Sequence, residues 1–358
     1  MPIATFTFAA GTGRQGTIQS FLCTTAGVHK IRARGGAGGY AFLSGTSTIN
    51  SGGRGATVEA DFTLAQFDEL LILVGHKGID HNSASRGGSG GGGTYVFNVT
   101  TGTLLLAIGA GGGAGQFTDQ AVQADASLTL DGKMGTRSGA GAGGIAGQGG
   151  AGSTWSGGGA GWLSSGGNSL NNANTTGGER WEPGIEGTGE GGLVGYSDAV
   201  QGGFGGGGGA YAGGSGGGGY SGGGGGGWSN AGFGGGGGTF VDASGTVLTS
   251  AVDNTGAGVV EVTGEVVPLL QTVQGQATLS IEGDTPWLPA MYMPVVQPTS
   301  GGMNFLVTKA PYYGPYIHLL DGNGVQITDY DNLRMKYPAD KIPGAEFVTV
   351  VLPERVFE

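Results

Sequence analysis

Apolar and polar positions alternate along the first part of the chain with the period of β-structure. Residues 3–8 read as a strand, and so does Val28 to Arg34, which runs into glycines at 35–39. Thr57, Glu59 and Asp61 interleave with Ala56, Val58, Ala60 and Phe62, predicting a half-buried strand. Glu69 to Val74 is a short continuous apolar run closed by Gly75, too short for a helix, and predicts a core strand. Thr94 to Val99, a turn at Thr101 and Gly102, and Thr103 to Ile108 predict a hairpin. Further strands are predicted at Thr246 to Ala251 and Gly258 to Val262. Helical periodicity is nearly absent, so the pattern predicts an all-β sandwich.

Between the two groups of strands lies most of the glycine. Gly205 to Gly209, Gly216 to Gly219, Gly222 to Gly227 and Gly234 to Gly238 are uninterrupted runs, with Phe204, Tyr211, Tyr220, Trp228, Phe233 and Phe240 between or beside them. Such composition ordinarily marks a flexible tether. A glycine run can also form the extended threefold helix, which has three residues per turn and no internal hydrogen bonds. Without Cβ atoms, neighbouring helices of this kind approach closely and bond N–H to C=O between themselves. Each run of five or six would span roughly 15–19 Å at about 3.1 Å per residue. Ordering a residue costs about 1–2 kcal/mol, while each hydrogen bond returns only about 0.5–1.5 kcal/mol net. A bundle of these helices therefore needs a frame with an apolar core, and the flanking strands supply one. The expectation is a sandwich over residues 1–265 carrying an inserted polyglycine II bundle at about 110–240, its runs reversing at the aromatics.

Composition sharpens this picture. Glycine accounts for 87 of 358 residues, and charged residues for only 11%, which argues against charge-driven disorder. No sustained Gly-X-Y period and few prolines exclude collagen. The net charge of −11 disfavours nucleic acid and anionic membranes as partners. The single cysteine, Cys23, allows no internal disulfide and reads as a small apolar residue. The N-terminal residues lack the pattern of a signal peptide, and no apolar run has membrane-spanning length. The sequence reading is a protein made in a cytoplasm that stays there or leaves within an assembly.

The ordered motifs carry a resemblance. Leu71 to Gly75 followed by Gly78 and Asp80, Gly91 to Phe97, Leu105 to Gly113, and Gly202-Gly203-Phe204 with its five glycines resemble the glycine-rich extracellular module of the anaplastic lymphoma and leukocyte tyrosine kinase receptors. The resemblance covers roughly residues 1–264. It implies a jelly-roll sandwich of the tumour-necrosis-factor type carrying polyglycine helices, without the kinase or the receptor's disulfides. In architecture alone the chain is also similar to the adhesin at the tip of T-even-like phage long tail fibres, which stacks polyglycine helices and displays loops at their ends.

From Val266 glycine thins and proline rises. Strand-like stretches recur at 276–282, 291–296, 303–309, 316–320, 324–328 and 346–352, and Asp321 to Gly324 reads as a hairpin turn. Residues 266–358 are expected to form a small β-domain for docking or oligomer contacts.

Catalytic patterns do not emerge. Matches to G-x-G-x-x-G carry no weight in so glycine-rich a chain, and Gly132-Lys133 lacks the spacing of a phosphate-binding loop because Ser127 stands where a glycine is needed. His76, Asp80 and His81 could gather round a metal, but solvated loop residues are the simpler reading. Glu179, Glu182, Glu186 and Glu190 around Trp181 suggest a carboxylate pair for sugar hydrolysis, against the simpler reading of a solvated rim. Asn98 and Asn174 stand in glycosylation acceptor patterns that lack significance without secretion. The expectation is a protein with no catalytic site, metal or other cofactor.

What remains is recognition by aromatics at the ends of rigid helices, where Trp and Tyr give contact area at low entropic cost. The candidate receptor-binding residues are Trp155, Trp162, Trp181, Tyr196, Tyr211, Tyr220 and Trp228. Phe204, Phe233 and Phe240 are expected to bury against the frame. The functional expectation is a non-enzymatic virion protein, a phage tail-fibre or tail-tip adhesin. Its expected partners are other virion proteins, further copies of itself, and a host surface polysaccharide or outer-membrane protein. The alternatives are a capsid or tail decoration protein and a bacterial surface adhesin.

Overall fold

The computed structural model describes residues 3–7, 13–43, 46, 48–81, 86–116, 121–171, 175–183, 186–195, 197, 199–227, 232–264, 291–292, 304–310 and 314–320. The chain divides into two compact units, Met1–Val267 and Pro268–Glu358.

In the first unit the predicted strands form. They are β1 (Ile3–Thr7), β2 (Gln19–Leu22), β3 (Gly27–Arg34), the short β4 (Ala41–Phe42) and β5 (Ile49–Asn50), β6 (Gly55–Leu64) and β7 (Glu69–Leu73). There follow β8 (Thr94–Asn98), β9 (Thr103–Ile108), a single helical turn α1 (Ala121–Ala124), and the ribbon β10 (Trp181–Glu182) and β11 (Glu186–Thr188). Then come β12 (Phe240–Val241), β13 (Thr246–Asn254) and β14 (Val259–Gly264). One antiparallel sheet has the order β1-β14-β3-β6-β13, and a second the order β12-β9-β8-β7-β2.

The two sheets share one core. Ile31, Ala33, Val58, Ala60, Phe62, Val260 and Val262 from the first meet Leu70, Ile72, Val96, Leu106 and Ile108 from the second. The predicted half-buried strand is realised in β6, whose even-numbered residues from Ala56 to Leu64 face this core. On the opposite face Lys30 pairs with Glu59 at 3.2 Å and Arg32 with Glu261 at 3.6 Å. The continuous apolar run in β7 has a separate cause, because the second sheet is covered on both faces. Leu70 and Ile72 enter the sandwich core, while Leu71 and Leu73 join Tyr95, Phe97 and Ala107 in a second apolar cluster on the outer face. The hairpin between β8 and β9 turns at Gly102, whose φ of +67° suits glycine.

At one end of the sandwich β3, β7 and β9 run out into glycine segments, and β6, β8 and β12 emerge from them. These segments bond to one another in a repeat of three. Gly214, Gly217 and Tyr220 donate their N–H groups to the carbonyls of Gly232, Gly235 and Gly238. The next residues of the same run, Ser215 and Gly218, donate to Gly88 and Gly91, and the third set, Gly216 and Gly219, donates to Gly157 and Ala160. Each neighbour is thus met at every third residue, with its own position also advancing by three. In the run from Gly222 the partners are Gln148 and Ala151, then Gly217 and Gly214, then Lys133 and Thr136. The array also takes in residues before 110. Gly36 and Gly39 donate to Gly92 and Ser89, and Gly88 and Gly91 to Ala114 and Gly111.

Close approach explains the glycine. A Cβ at Gly222 would overlap the carbonyl oxygen of Gly159, and one at Gly217 that of Ala110. Side-chain hydroxyls supply links that backbone alone does not. Buried Ser215 accepts from Gly90 N–H at 2.8 Å and donates to the Gly208 carbonyl at 2.5 Å. Thr94, where β8 leaves the array, accepts from Gly75 N–H at 3.0 Å and donates to the Arg34 carbonyl at 2.7 Å.

In the second unit β15 (Met291–Tyr292), β16 (Asn304–Ala310) and β17 (Gly314–Leu320) form an antiparallel sheet in that order. Three predicted stretches there coincide with these strands in whole or part. The stretches 276–282, 324–328 and 346–352 and the turn at Asp321 to Gly324 lie outside the described residues.

Candidate functional site

The array has two ends, and they treat aromatic residues differently. At the end next to the sandwich, Trp162 and Trp181 lie over β8. The Tyr95 ring is 6.0 Å from Trp162 and 5.8 Å from Trp181, the two tryptophans are 6.1 Å apart, and Phe97 stacks on Trp162. Trp181 is 5% exposed, with Leu73, Phe204 and Ala107 in the same cluster. Tyr220 stacks on Phe240 with ring centroids 4.8 Å apart. The Tyr95 hydroxyl donates to the Gly219 carbonyl at 3.0 Å, and burial pushes its pKa far above the ordinary phenol value. Trp162, Trp181 and Tyr220, three of the residues singled out from sequence, thus bind the array to the sheet.

The remote end is reached by following a run away from β8. Gly93, Gly90 and Gly87 donate in turn to Gly205, Gly208 and Tyr211, so Tyr211 lies two repeats out from the strand. Trp155 sits on the neighbouring reversal, where Ser153 Oγ accepts from the N–H groups of Trp155 and Ser156, and Ser156 Oγ donates to the Gly213 carbonyl at 2.6 Å. The Trp155 and Tyr211 rings are 5.6 Å apart. The Arg86 guanidinium lies 4.1 Å from the Tyr211 ring centroid and donates to its hydroxyl at 2.9 Å. All three side chains are half-buried. Both rings thus present part of their area to solvent on a hydrogen-bonded base, with a cation against one of them. Nearby in the array, Gly39 leads into Tyr40, whose N–H donates to Asp80 at 2.8 Å and whose ring packs edge-on against Phe42.

Tyr196 and Trp228 lie outside the described residues. Phe204 and Phe233 are buried, as expected of them, and Phe240 is half-buried under Tyr220. Sequence reasoning missed Arg86 and Tyr40. They flank glycine segments 87–93 and 35–39, which the strand pattern assigns to the sandwich, and only the hydrogen bonds place those segments in the array.

The other candidates resolve into structural parts. Asp80 accepts two hydrogen bonds from Lys77, at 2.7 and 2.8 Å, and His81 is buried. Among the described residues no group of three or more His, Cys, Asp and Glu is placed to hold a metal ion. Glu190 pairs with Arg14 and accepts from Gln15, while Glu179 accepts from the Thr188 hydroxyl at 2.9 Å. Glu182 and Glu186 are partners in the β10–β11 ribbon. Asn98 is buried and donates to Asp68, while Asn174 lies outside the described residues. Cys23 is buried, its thiol donating to the Thr25 carbonyl at 3.0 Å, and burial raises its pKa. Among the described residues no helix is long and apolar enough to cross a membrane.

Fold and site together define a class: an all-β sandwich with a hydrogen-bonded glycine array that carries an aromatic cluster at its far end. No protein-family model matches the chain, and no curated protein matches it.

Proposed function

We propose that this chain is a non-enzymatic display protein of a virion, a tail-fibre or tail-tip adhesin that grips the host surface through the remote end of its glycine array. In this reading the glycine runs are polyglycine II helices, and the frame is a jelly roll of the tumour-necrosis-factor type. The first part is supported by hydrogen-bond partners that recur at every third residue in several runs, and the second by two antiparallel sheets packed on one core. The observation that carries the function is the division of the aromatics. Trp162, Trp181 and Tyr220 are spent on holding the array to the sheet, whereas Trp155 and Tyr211 sit half-exposed with Arg86 on an end held by backbone and serine hydrogen bonds. A flat ring face on an ordered base suits the C–H face of a sugar or an apolar patch of an outer-membrane protein, and costs little entropy on binding.

The test is adsorption of particles carrying Trp155→Ala together with Tyr211→Ala. We expect intact particles whose adsorption to the host drops at least about tenfold, the loss of one or two hot-spot contacts. Intact particles that adsorb normally would remove the adhesin reading. Particles that fall apart instead would assign the chain to cementing the virion.

A further inference from the structure

The remote end of the array differs in charge from the rest of the chain. The segment 86–88 and the reversals at 136–140, 153–156 and 210–213 together hold two arginines, Arg86 and Arg137, and no acid. The reversal of Arg137 stands beside that of Trp155. A Cβ at Gly139 would lie 3.3 Å from Thr154 Oγ1, and Ala140 N–H closes the turn on the Arg137 carbonyl at 3.2 Å. Elsewhere acids are met by cations: Glu59, Glu261, Asp125, Asp80 and Glu190 pair with Lys30, Arg32, Arg54, Lys77 and Arg14. Arg137 holds a φ of +72°. Such a backbone is costly for a long side chain, and outliers of this kind gather at ligand sites. Among the described residues most positive-φ positions are glycine, yet an arginine stands on this reversal.

We propose that the surface ligand is an acidic polysaccharide, with Trp155 and Tyr211 against the C–H face of a sugar and Arg86 and Arg137 on its carboxylate or phosphate group. This rests on the adhesin reading above and adds the charge of the ligand. Arg86 already stacks on Tyr211 and bonds its hydroxyl, so ring and cation act on one point. A guanidinium has five N–H donors in one plane and serves several acceptors at once. A neutral glycan or an apolar protein patch gains nothing from two guanidinium groups, because desolvating a cation costs energy that only an anion returns. The net charge of −11 opposes an anion over most of the surface and so restricts where one can bind. In the threefold helix proposed above, two repeats place Tyr211 about 18 Å from β8. Exposed charges beyond about 8 Å are largely screened at physiological salt, so the acids of the frame act weakly there.

Binding of the full chain to polysaccharide extracted from the host surface tests this in three preparations: untreated, with carboxyl groups amidated, and with phosphate groups removed. One treatment should raise the dissociation constant at least about tenfold, the loss of a charge-assisted hydrogen bond, and which one does so identifies the anion. Neither treatment touches the protein. Arg86→Gln and Arg137→Gly should weaken binding to the untreated polysaccharide by a similar factor. The second keeps its melting temperature, because a φ of +72° suits glycine. Arg32→Gln removes the same charge from the frame and should bind as the parent does. Affinity indifferent to both treatments overturns the proposal, and so does an equal loss in Arg32→Gln and Arg86→Gln. Adsorption abolished by treating the host with protease also overturns it, in favour of an outer-membrane protein. If Trp155→Ala with Tyr211→Ala still abolishes adsorption in those cases, the adhesin reading stands and only the acidic ligand falls. A chain that binds neither the polysaccharide nor host cells removes both.

Discussion

A glycine in this protein is required where a neighbouring backbone leaves no room for a Cβ, and substitution separates such positions from open ones. At Gly222 the backbone has no unusual φ, and the obstacle is the carbonyl of Gly159 on the neighbouring run. Gly222→Ala should cost about 3 kcal/mol or more, since neither backbone can move without breaking its other hydrogen bonds. Gly256 has only the Asn254 side chain near a would-be Cβ, at 3.9 Å, so Gly256→Ala should stay within about 0.5 kcal/mol. Urea denaturation of the two variants checks both. His76 offers a second test at this scale. Burial holds its pKa below the ordinary 6.5, so the unfolded chain binds its proton more tightly. Its contribution to stability is whole above about pH 6.5 and is lost as the pH falls toward its lower folded value. Denaturation midpoints between pH 7.5 and 5 should fall less steeply in His76→Gln than in the parent, and equal slopes would contradict this assignment (ordinary histidine titration lies in this range).

At the scale of elements, the glycine runs are not autonomous. A run such as Gly222 to Gly227 bonds to partners at 133–136, at 148–151 and across at 214–217, and other runs need 36–39 and 88–91. Residues 139–240 expressed alone lack several of these partners and the sheet beneath. We expect that fragment to exchange its amides at the rate of an unfolded chain, while residues 1–265 protect the same amides. Protection in the isolated fragment would mean that the runs hold together without the frame. The strands were largely legible because their apolar period reports burial directly: β6 and the β8–β9 hairpin follow it closely. The four-residue β2 and two-residue β12 were not legible, since such short stretches carry no period and owe their pairing to β7 and β9.

For the whole molecule, the economy is that of one frame serving two purposes. The second sheet is apolar on both faces, so the sandwich core on one side stabilises a platform for Trp162, Trp181 and Phe204 on the other. The array thereby places Trp155, Tyr211 and Arg86 two repeats out from the strands, and the adsorption experiment asks what that end is for.

The sequence by itself determined that the chain is all-β, that its strands flank a glycine-rich middle, and that β7 is a core strand, because period and composition act over a few neighbouring residues. It also held the three-residue helix as a physical option for the glycine runs. Only the tertiary structure decided which aromatics are core and which face outward, and that segments 35–39 and 87–93 join the array. Glycine has no side chain with which to announce a neighbour. Its partners are set by backbone bonds between segments 6 residues apart, as in Gly223 to Gly217, as well as 127 apart, as in Gly218 to Gly91, and such pairings leave no trace in local pattern.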